Sequence, residues 1–183
     1  MHFRKVVFAG IALIATMAGQ AAQHQSKGVV YLVEVEIFEV SKDFVPKVTG
    51  TKMERQGDLL WVVTNDSLIN PSFRKEPLPK GLKRIAAPKM RTLDNMEASM
   101  HMGDADRSNG IEVKVTPKLP ESGPGSASIF FEKKVAGKSV LRIDREFSFS
   151  EGNTAMAMNL KPTGPSEPRT ILIVTVRRSP DGV

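Results

Sequence analysis

The stretch Val29-Val-Tyr-Leu-Val-Glu-Val-Glu-Ile-Phe-Glu-Val40 decides the fold class of this chain. It is rich in β-branched and aromatic residues, which favour extended structure. Val33, Val35 and Ile37 alternate with polar neighbours, so the apolar period is two residues rather than the 3.6 residues of a helix. The stretch therefore predicts a β-strand with one face buried.

Short apolar runs separated by turn residues continue along the rest of the chain, at the spacing of hairpins. The 14 Gly and 12 Pro interrupt long helices. Besides the opening stretch, the predicted strands are Leu59–Thr64, Lys89–Leu93, Ala98–Met102, Ile111–Leu119, Ser128–Val135, Thr154–Leu160 and Thr170–Val176. The sequence predicts a mainly β fold, a mixed or antiparallel sheet of hairpins with at most one short helix.

Two of these strands and two connecting segments carry more specific predictions. Leu59–Thr64 is a short apolar run, and a helix stays open as the alternative to a buried strand. Thr170–Val176 is apolar on both faces, which predicts a central strand covered on both sides. The dipeptide at 94–95, Asp-Asn, tolerates positive φ and predicts a turn that closes a hairpin. Asn70–Leu82 holds three prolines and a glycine and predicts a loop.

Residues 1–21 have the composition of a secretory signal peptide. A basic start is followed by the apolar run Val6–Ala18 and by small residues up to Ala21. The run is shorter than the roughly 20 apolar residues that cross a bilayer, although a membrane anchor or a core helix is the alternative. We expect cleavage after Ala21 or Ala22, and an exported protein with no stable membrane insertion afterwards.

The domain organisation follows from these boundaries. We expect a signal peptide at 1–21, a short linker at 22–28, one β domain at 29–178 and a flexible tail at 179–183. Arg4 and Lys5 leave with the signal, so the net charge of +6 becomes +4 (26 − 2 basic against 20 acidic residues). No basic stripe with interleaved aromatic residues is present, which argues against nucleic acid as a partner.

The sequence offers no set of residues for catalysis or cofactor binding. The chain has no Cys, which excludes disulfides, thiolate metal sites and cysteine nucleophiles. His24 and His101 lack the spacing of metal ligands. Val135–Ser139 is similar to the end of a phosphate-binding loop, but Glu132 stands where its first glycine is needed. We therefore expect no enzyme activity, no cofactor and no metal site.

Two methionine pairs could in principle supply ligands for a copper ion. Met100-His101-Met102 and Met156-Ala157-Met158 contain thioether groups, which select copper(I). In a strand, however, the two methionines of each pair share one face while His101 points to the other. The pairs are better explained as core-facing side chains that fill gaps.

Five segments, in chain order, resemble motifs of the C-terminal domain of bacterial secretins, the outer-membrane channels of secretion systems and type IV pili. Glu34 and Glu39 fall on the two acidic positions of the family's opening strand, "V-E-A-x-I-x-E-V". The segment from Pro88 to Gly103 is similar to the family's "P-x-x-x-T-x-D-N-x-x-A-x-I-x-V-G" motif. The remaining segments are Gly110–Pro117, Gly152–Leu160 and Thr170–Arg177.

The departures from this pattern concern the parts that form the pore. A polar, Pro-rich segment, Lys161–Arg169, stands where secretins carry a membrane-facing lip. Six residues, Asp104 to Asn109, stand where the family has its large gate insertion, and we expect a protein without the ring-building domains that precede the secretin domain. The resemblance implies a minimal secretin core that does not form a pore by itself.

The resemblance and the predicted signal together lead to a functional hypothesis. They suggest an exported, secretin-like envelope protein that acts through protein–protein contacts in a secretion or pilus apparatus. Its expected partners are other envelope or secretion-system proteins, and a homo-oligomer stays open. The alternative is a soluble periplasmic binding module for a metal such as copper or for a peptide.

Overall fold

The computed structural model describes residues 29–44, 53–65, 69, 73, 76–118, 124–149, 153–160 and 168–179. The predicted signal peptide and linker lie outside the described residues, and so does most of the predicted tail. Ser179 is described, and its amide donates a hydrogen bond to the Val30 carbonyl (2.7 Å).

The described residues form eleven β-strands and no α-helix. The strands are β1 (Val30–Val40), β2 (Glu54–Gln56), β3 (Leu59–Asn65), β4 (Leu82–Ala86), β5 (Lys89–Leu93), β6 (Ala98–Gly103), β7 (Gly110–Lys118), β8 (Gly125–Val135), β9 (Lys138–Phe149), β10 (Asn153–Asn159) and β11 (Arg169–Arg178). The mainly β prediction is confirmed, and 59–64 is a strand rather than a helix. No helix in the described ranges is long and apolar enough to cross a membrane.

The strands form two antiparallel sheets that pack face to face. The larger sheet runs in the order β2-β3-β10-β11-β1, and both β4 and β5 pair with the free side of β1. The smaller sheet runs in the order β6-β7-β8-β9. Apolar residues of the two inner faces make one shared core, as in a β-sandwich.

The opening strand β1 is placed as its alternation predicts. Tyr31, Val33, Val35 and Ile37 are fully buried in the core between the sheets. Near its end β1 also buries Phe38, on the opposite face. The larger sheet is therefore covered on both faces at this end.

A second core covers that opposite face. Phe38 packs against Phe73, with ring centroids 5.2 Å apart. Met156, Met158 and Ile69 belong to the same cluster. The segment between β3 and β4 thus contributes apolar residues to a core, which the prediction of a loop at 70–82 did not anticipate.

The prediction of a central, doubly covered strand at 170–176 is confirmed by β11. It lies between β10 and β1. Leu172 and Val174 face the core between the sheets, whereas Ile171 and Ile173 belong to the second core. This explains why its sequence is apolar without alternation.

The prediction that the turn at Asp94-Asn95 joins two paired strands is wrong, because β5 and β6 do not pair with each other. Strand β5 pairs with β1 in the larger sheet, and β6 pairs with β7 in the smaller one. The turn at Asp94-Asn95 therefore carries the chain from one sheet to the other. The positive φ expected there is present, because Asn95 has a φ of 58°.

Candidate functional site

The residues considered as metal ligands lie in separate layers. Met100 and Met102 are half-buried against the core between the sheets, while Met156 and Met158 are buried in the second core. His101 is exposed on the outer face, with Nε2 3.3 Å from the Asp104 carbonyl oxygen. Within the described ranges, no three His, Cys, Asp or Glu residues are grouped so that they could hold a metal ion. His24 lies outside those ranges.

The two acidic positions of the secretin resemblance both form ion pairs. Glu34 lies 2.6 Å from the Lys89 ammonium and 3.8 Å from the Arg177 guanidinium. Glu39 lies 3.1 Å from Lys133, a contact that joins the larger sheet to the smaller one. These glutamates therefore have structural partners within the fold.

A polar cleft of about 350 Å³ surrounds Glu34 on the outer face of the larger sheet. Arg84 lies there between Glu36 (3.7 Å) and Glu76 (2.7 Å). The charges of opposite sign are paired with one another, so this cleft presents little unbalanced charge to a ligand.

A second cleft, apolar in its enclosed part, lies where β9 crosses over β3 and β10. Strand β10 points its two methionines into the second core, and it points Ala155 and Ala157 toward β9. Because alanine side chains are short, the inner face is hollow beneath β9. The methionines of β10 thus fill the second core, whereas its alanines leave space for a cleft in the core between the sheets.

Trp61 forms one wall of this cleft. On β3, Leu59, Trp61 and Val63 face the smaller sheet and stay half-buried, because the larger sheet extends beyond β9. Opposite them, β9 contributes Ile143 and Phe147, both buried. The enclosed part of the cleft holds about 30 Å³, and an open part of about 350 Å³ continues between β3 and the end of β9.

Of the described residues that line the enclosed part of the cleft, Arg145 is the one that carries a charge. It occupies an inward position of β9, between Ile143 and Phe147. Its guanidinium lies 5.7 Å from the centroid of the Trp61 ring, a cation–π arrangement. Arg145 forms no ion pair with any residue in the described part of the chain.

Strand β9 borders the cleft as a sheet edge, with no further strand paired to it among the described residues. It is 12 residues long and is the last strand of the smaller sheet. Half of the backbone N–H and C=O groups of an edge strand have no partner strand, and such edges accept an added strand. The cleft therefore combines an unpaired edge with an apolar floor.

The groups whose pKa departs clearly from its ordinary value lie outside this cleft, whereas Glu54 and Glu146 line its open part. Among the described residues, the pKa departs clearly from its ordinary value for Tyr31, Asp106 and Glu132. Burial would raise the pKa of Glu132, but hydrogen bonds from Lys134 and Ser139 and nearby positive charges lower it overall. None of these groups lines the cleft.

Sequence reasoning missed this cleft because, of the residues in β9, it recognised only that Phe147 and Phe149 share a face before a predicted turn at 151–153. The available signals were the small residues Ala155 and Ala157 and the single Trp within the short apolar run Leu59–Thr64. A scan of the sequence against protein-family models found no match, and a search of curated proteins also found none.

Proposed function

We propose that this chain is an exported, secretin-like protein of the cell envelope that acts through protein–protein contacts, with the cleft beside β9 as its contact surface. The supporting observation is the cleft itself, where an unpaired 12-residue edge strand borders a half-buried Trp61. Tryptophan and arginine are enriched among the residues that dominate binding energy at protein interfaces. The predicted signal peptide at 1–21 supports the envelope location.

The cleft also bears on the alternative of a periplasmic binding module. An apolar floor beside an open sheet edge fits an extended peptide, which gains main-chain hydrogen bonds from the edge and contacts from its side chains. A copper site finds no such support, since the two methionine pairs point into different cores. Of the ligands considered for such a module, the peptide is the one that agrees with the contact surface proposed above.

The location part of the proposal is tested by recovering the protein from cells that carry its gene. We expect the envelope fraction to contain a protein that begins at residue 22 or 23, as measured by intact-mass spectrometry. A protein that keeps Met1 and stays in the cytoplasm would contradict export.

The contact surface is tested by site-specific photocrosslinking in the same cells. A photoreactive residue at position 142, an exposed site on β9, is compared with one at Ser99, an exposed site on the opposite edge strand β6. We expect adducts with identified envelope proteins from position 142, and we expect Trp61→Ala to abolish them. Equal adducts from both edges, or adducts that Trp61→Ala leaves unchanged, would exclude the β9 cleft as the contact surface.

A further inference from the structure

The inward arginine of β9 limits which strands can pair with this edge. Leu141, Ile143, Arg145 and Phe147 alternate on the inner face, so a charge interrupts an otherwise apolar row. Inward charges on edge strands prevent indiscriminate pairing, because a strand that covers the charge with an apolar side chain removes it from water. Arg145 therefore disfavours a uniformly apolar or basic strand.

The same arginine favours a strand that brings a carboxylate. Residues directly opposite each other on paired antiparallel strands have Cβ atoms about 4.5–5.5 Å apart, and opposite charges there attract. An Asp or Glu opposite Arg145 would accept charge-assisted hydrogen bonds from the guanidinium, which already lies against Trp61. On the added strand, apolar side chains two positions before and two positions after this acidic residue would cover the exposed parts of Leu59 and Val63.

We propose that the ligand of the β9 cleft is an extended segment of a partner protein with apolar side chains at alternate positions and an acidic side chain opposite Arg145. This inference rests on the proposed function and specifies its partner. This segment binds as an additional strand of the smaller sheet, and the positive charge of Arg145 favours segments with an acidic side chain at the opposite position.

A second copy of this chain fits the cleft poorly. The opposite edge strand, β6, turns Ala98, Met100 and Met102 inward and offers no acid. The edge strand β2 contains Glu54 but has only three residues, all exposed, and none of them is apolar. Among the described edge strands, none combines alternate apolar residues with an inward carboxylate.

The experiment measures the affinity of three synthetic peptides for the purified exported protein. Each peptide is an eleven-residue Thr/Val strand, with Val at alternate positions and Glu, Gln or Lys at the central inward position. N-methylation of the amides along one edge prevents the peptides from pairing with each other. Trp61 is the one tryptophan of the chain, so its fluorescence reports occupancy of the cleft.

We expect the Glu peptide to bind about tenfold more tightly than the Gln peptide, which corresponds to one charge-assisted hydrogen bond. The Lys peptide should bind most weakly. Arg145→Glu should invert the order of the Glu and Lys peptides, whereas Arg142→Glu, on the outer face of the same strand, should keep it. Circular dichroism checks that both variants fold.

The outcomes separate this inference from the function on which it rests. Equal affinity for the three peptides, or no inversion in Arg145→Glu, would overturn the acidic preference and leave the β9 contact surface standing. If no peptide binds and the photocrosslinks at position 142 are also absent, the proposed function fails. A dimer in sedimentation that Trp61→Ala dissociates would make a second copy the occupant and would overturn the inference.

Discussion

Tyr31 allows a clear test of the packing at the start of β1. Its side chain is fully buried in the core between the sheets. Burial raises the pKa of its phenol above the ordinary value of 10.0, the negative charge of Asp94 raises it further, and Arg178 partly offsets both. The folded protein therefore favours the protonated phenol.

The prediction is that native Tyr31 titrates above pH 10.0. Because the chain has one tyrosine, the ultraviolet absorbance of tyrosinate reports this group alone. The folded state binds the proton more tightly, so this contribution to stability is complete below about pH 10 and is lost as the pH rises further. Asp94→Asn should lower the midpoint of the titration. A wild-type midpoint at or below the ordinary value would contradict the burial of Tyr31.

Asn95 lies at the turn where the chain passes from the larger sheet to the smaller one. Its φ of 58° lies in the left-handed region, and its amide donates a hydrogen bond to the Pro117 carbonyl (2.8 Å). Asn95→Val should lower the free energy of unfolding by about 1–2 kcal/mol, since a β-branched residue is strained there. Urea denaturation measures the change. Asn95→Gly is the matched control and should lose much less, and equal losses in the two variants would mean that the backbone conformation is not the cause.

The sequence allowed the residue at this turn to be identified but not the pairing of the flanking strands. Asn is among the few residues that adopt positive φ without large strain, so residue type alone predicts the turn. The period of a strand, however, reports which side is buried and does not report which strand lies beside it. Strands β5 and β6 are adjacent in sequence and alternate correctly, yet they belong to different sheets.

At the scale of elements, strands with an uninterrupted pattern were predicted and interrupted ones were missed. Strands β1, β7 and β11 differ from their predicted ranges by at most two residues at each end. Most of strand β9 was missed, apart from the alternation of Phe147 and Phe149 at its end, because Arg145 occupies an inward position and breaks the apolar alternation. The inward Arg145 that interrupts the apolar pattern of β9 is also the residue that brings a charge into the enclosed part of the cleft. A departure from the regular strand pattern therefore lies at the candidate site.

A buried pair of hydroxyl groups joins β10 to β11. Thr154 and Thr175 are opposite each other in the register, and their Oγ1 atoms lie 2.8 Å apart with almost no exposure. A buried hydroxyl that loses its partner costs about 1–3 kcal/mol, whereas replacing both partners by apolar groups of the same shape costs less. The pair therefore stabilises the centre of the larger sheet as a unit.

A double-mutant cycle tests this unit. Thr154→Val and Thr175→Val should each destabilise the protein, and the double variant should be more stable than the sum of the two losses predicts, by about 1 kcal/mol. Chemical denaturation of the four proteins gives the coupling free energy. Additive losses would mean that the two hydroxyls do not depend on each other.

At the scale of the whole molecule, the two cores differ in how completely they are closed. The second core encloses Phe38 and Phe73 almost completely. The core between the sheets opens along β9, where Trp61 and Arg145 stay half-buried. A large aromatic residue at an open edge contributes little to folding compared with one that is enclosed. We therefore expect the stability of the fold to depend less on Trp61 than on Phe38.

The last prediction compares the two aromatic residues on this basis. Phe38→Ala should lower the free energy of unfolding by about 3–5 kcal/mol, because it removes a fully buried ring from a closed core. Trp61→Ala should cost less, about 1–2 kcal/mol, because its side chain is only partly buried, yet it should abolish binding of the Glu peptide. Urea denaturation and peptide binding followed by calorimetry measure the two effects. If Trp61→Ala destabilises the protein as much as Phe38→Ala does, the tryptophan belongs to the folding core, and the loss of binding would no longer identify a contact surface.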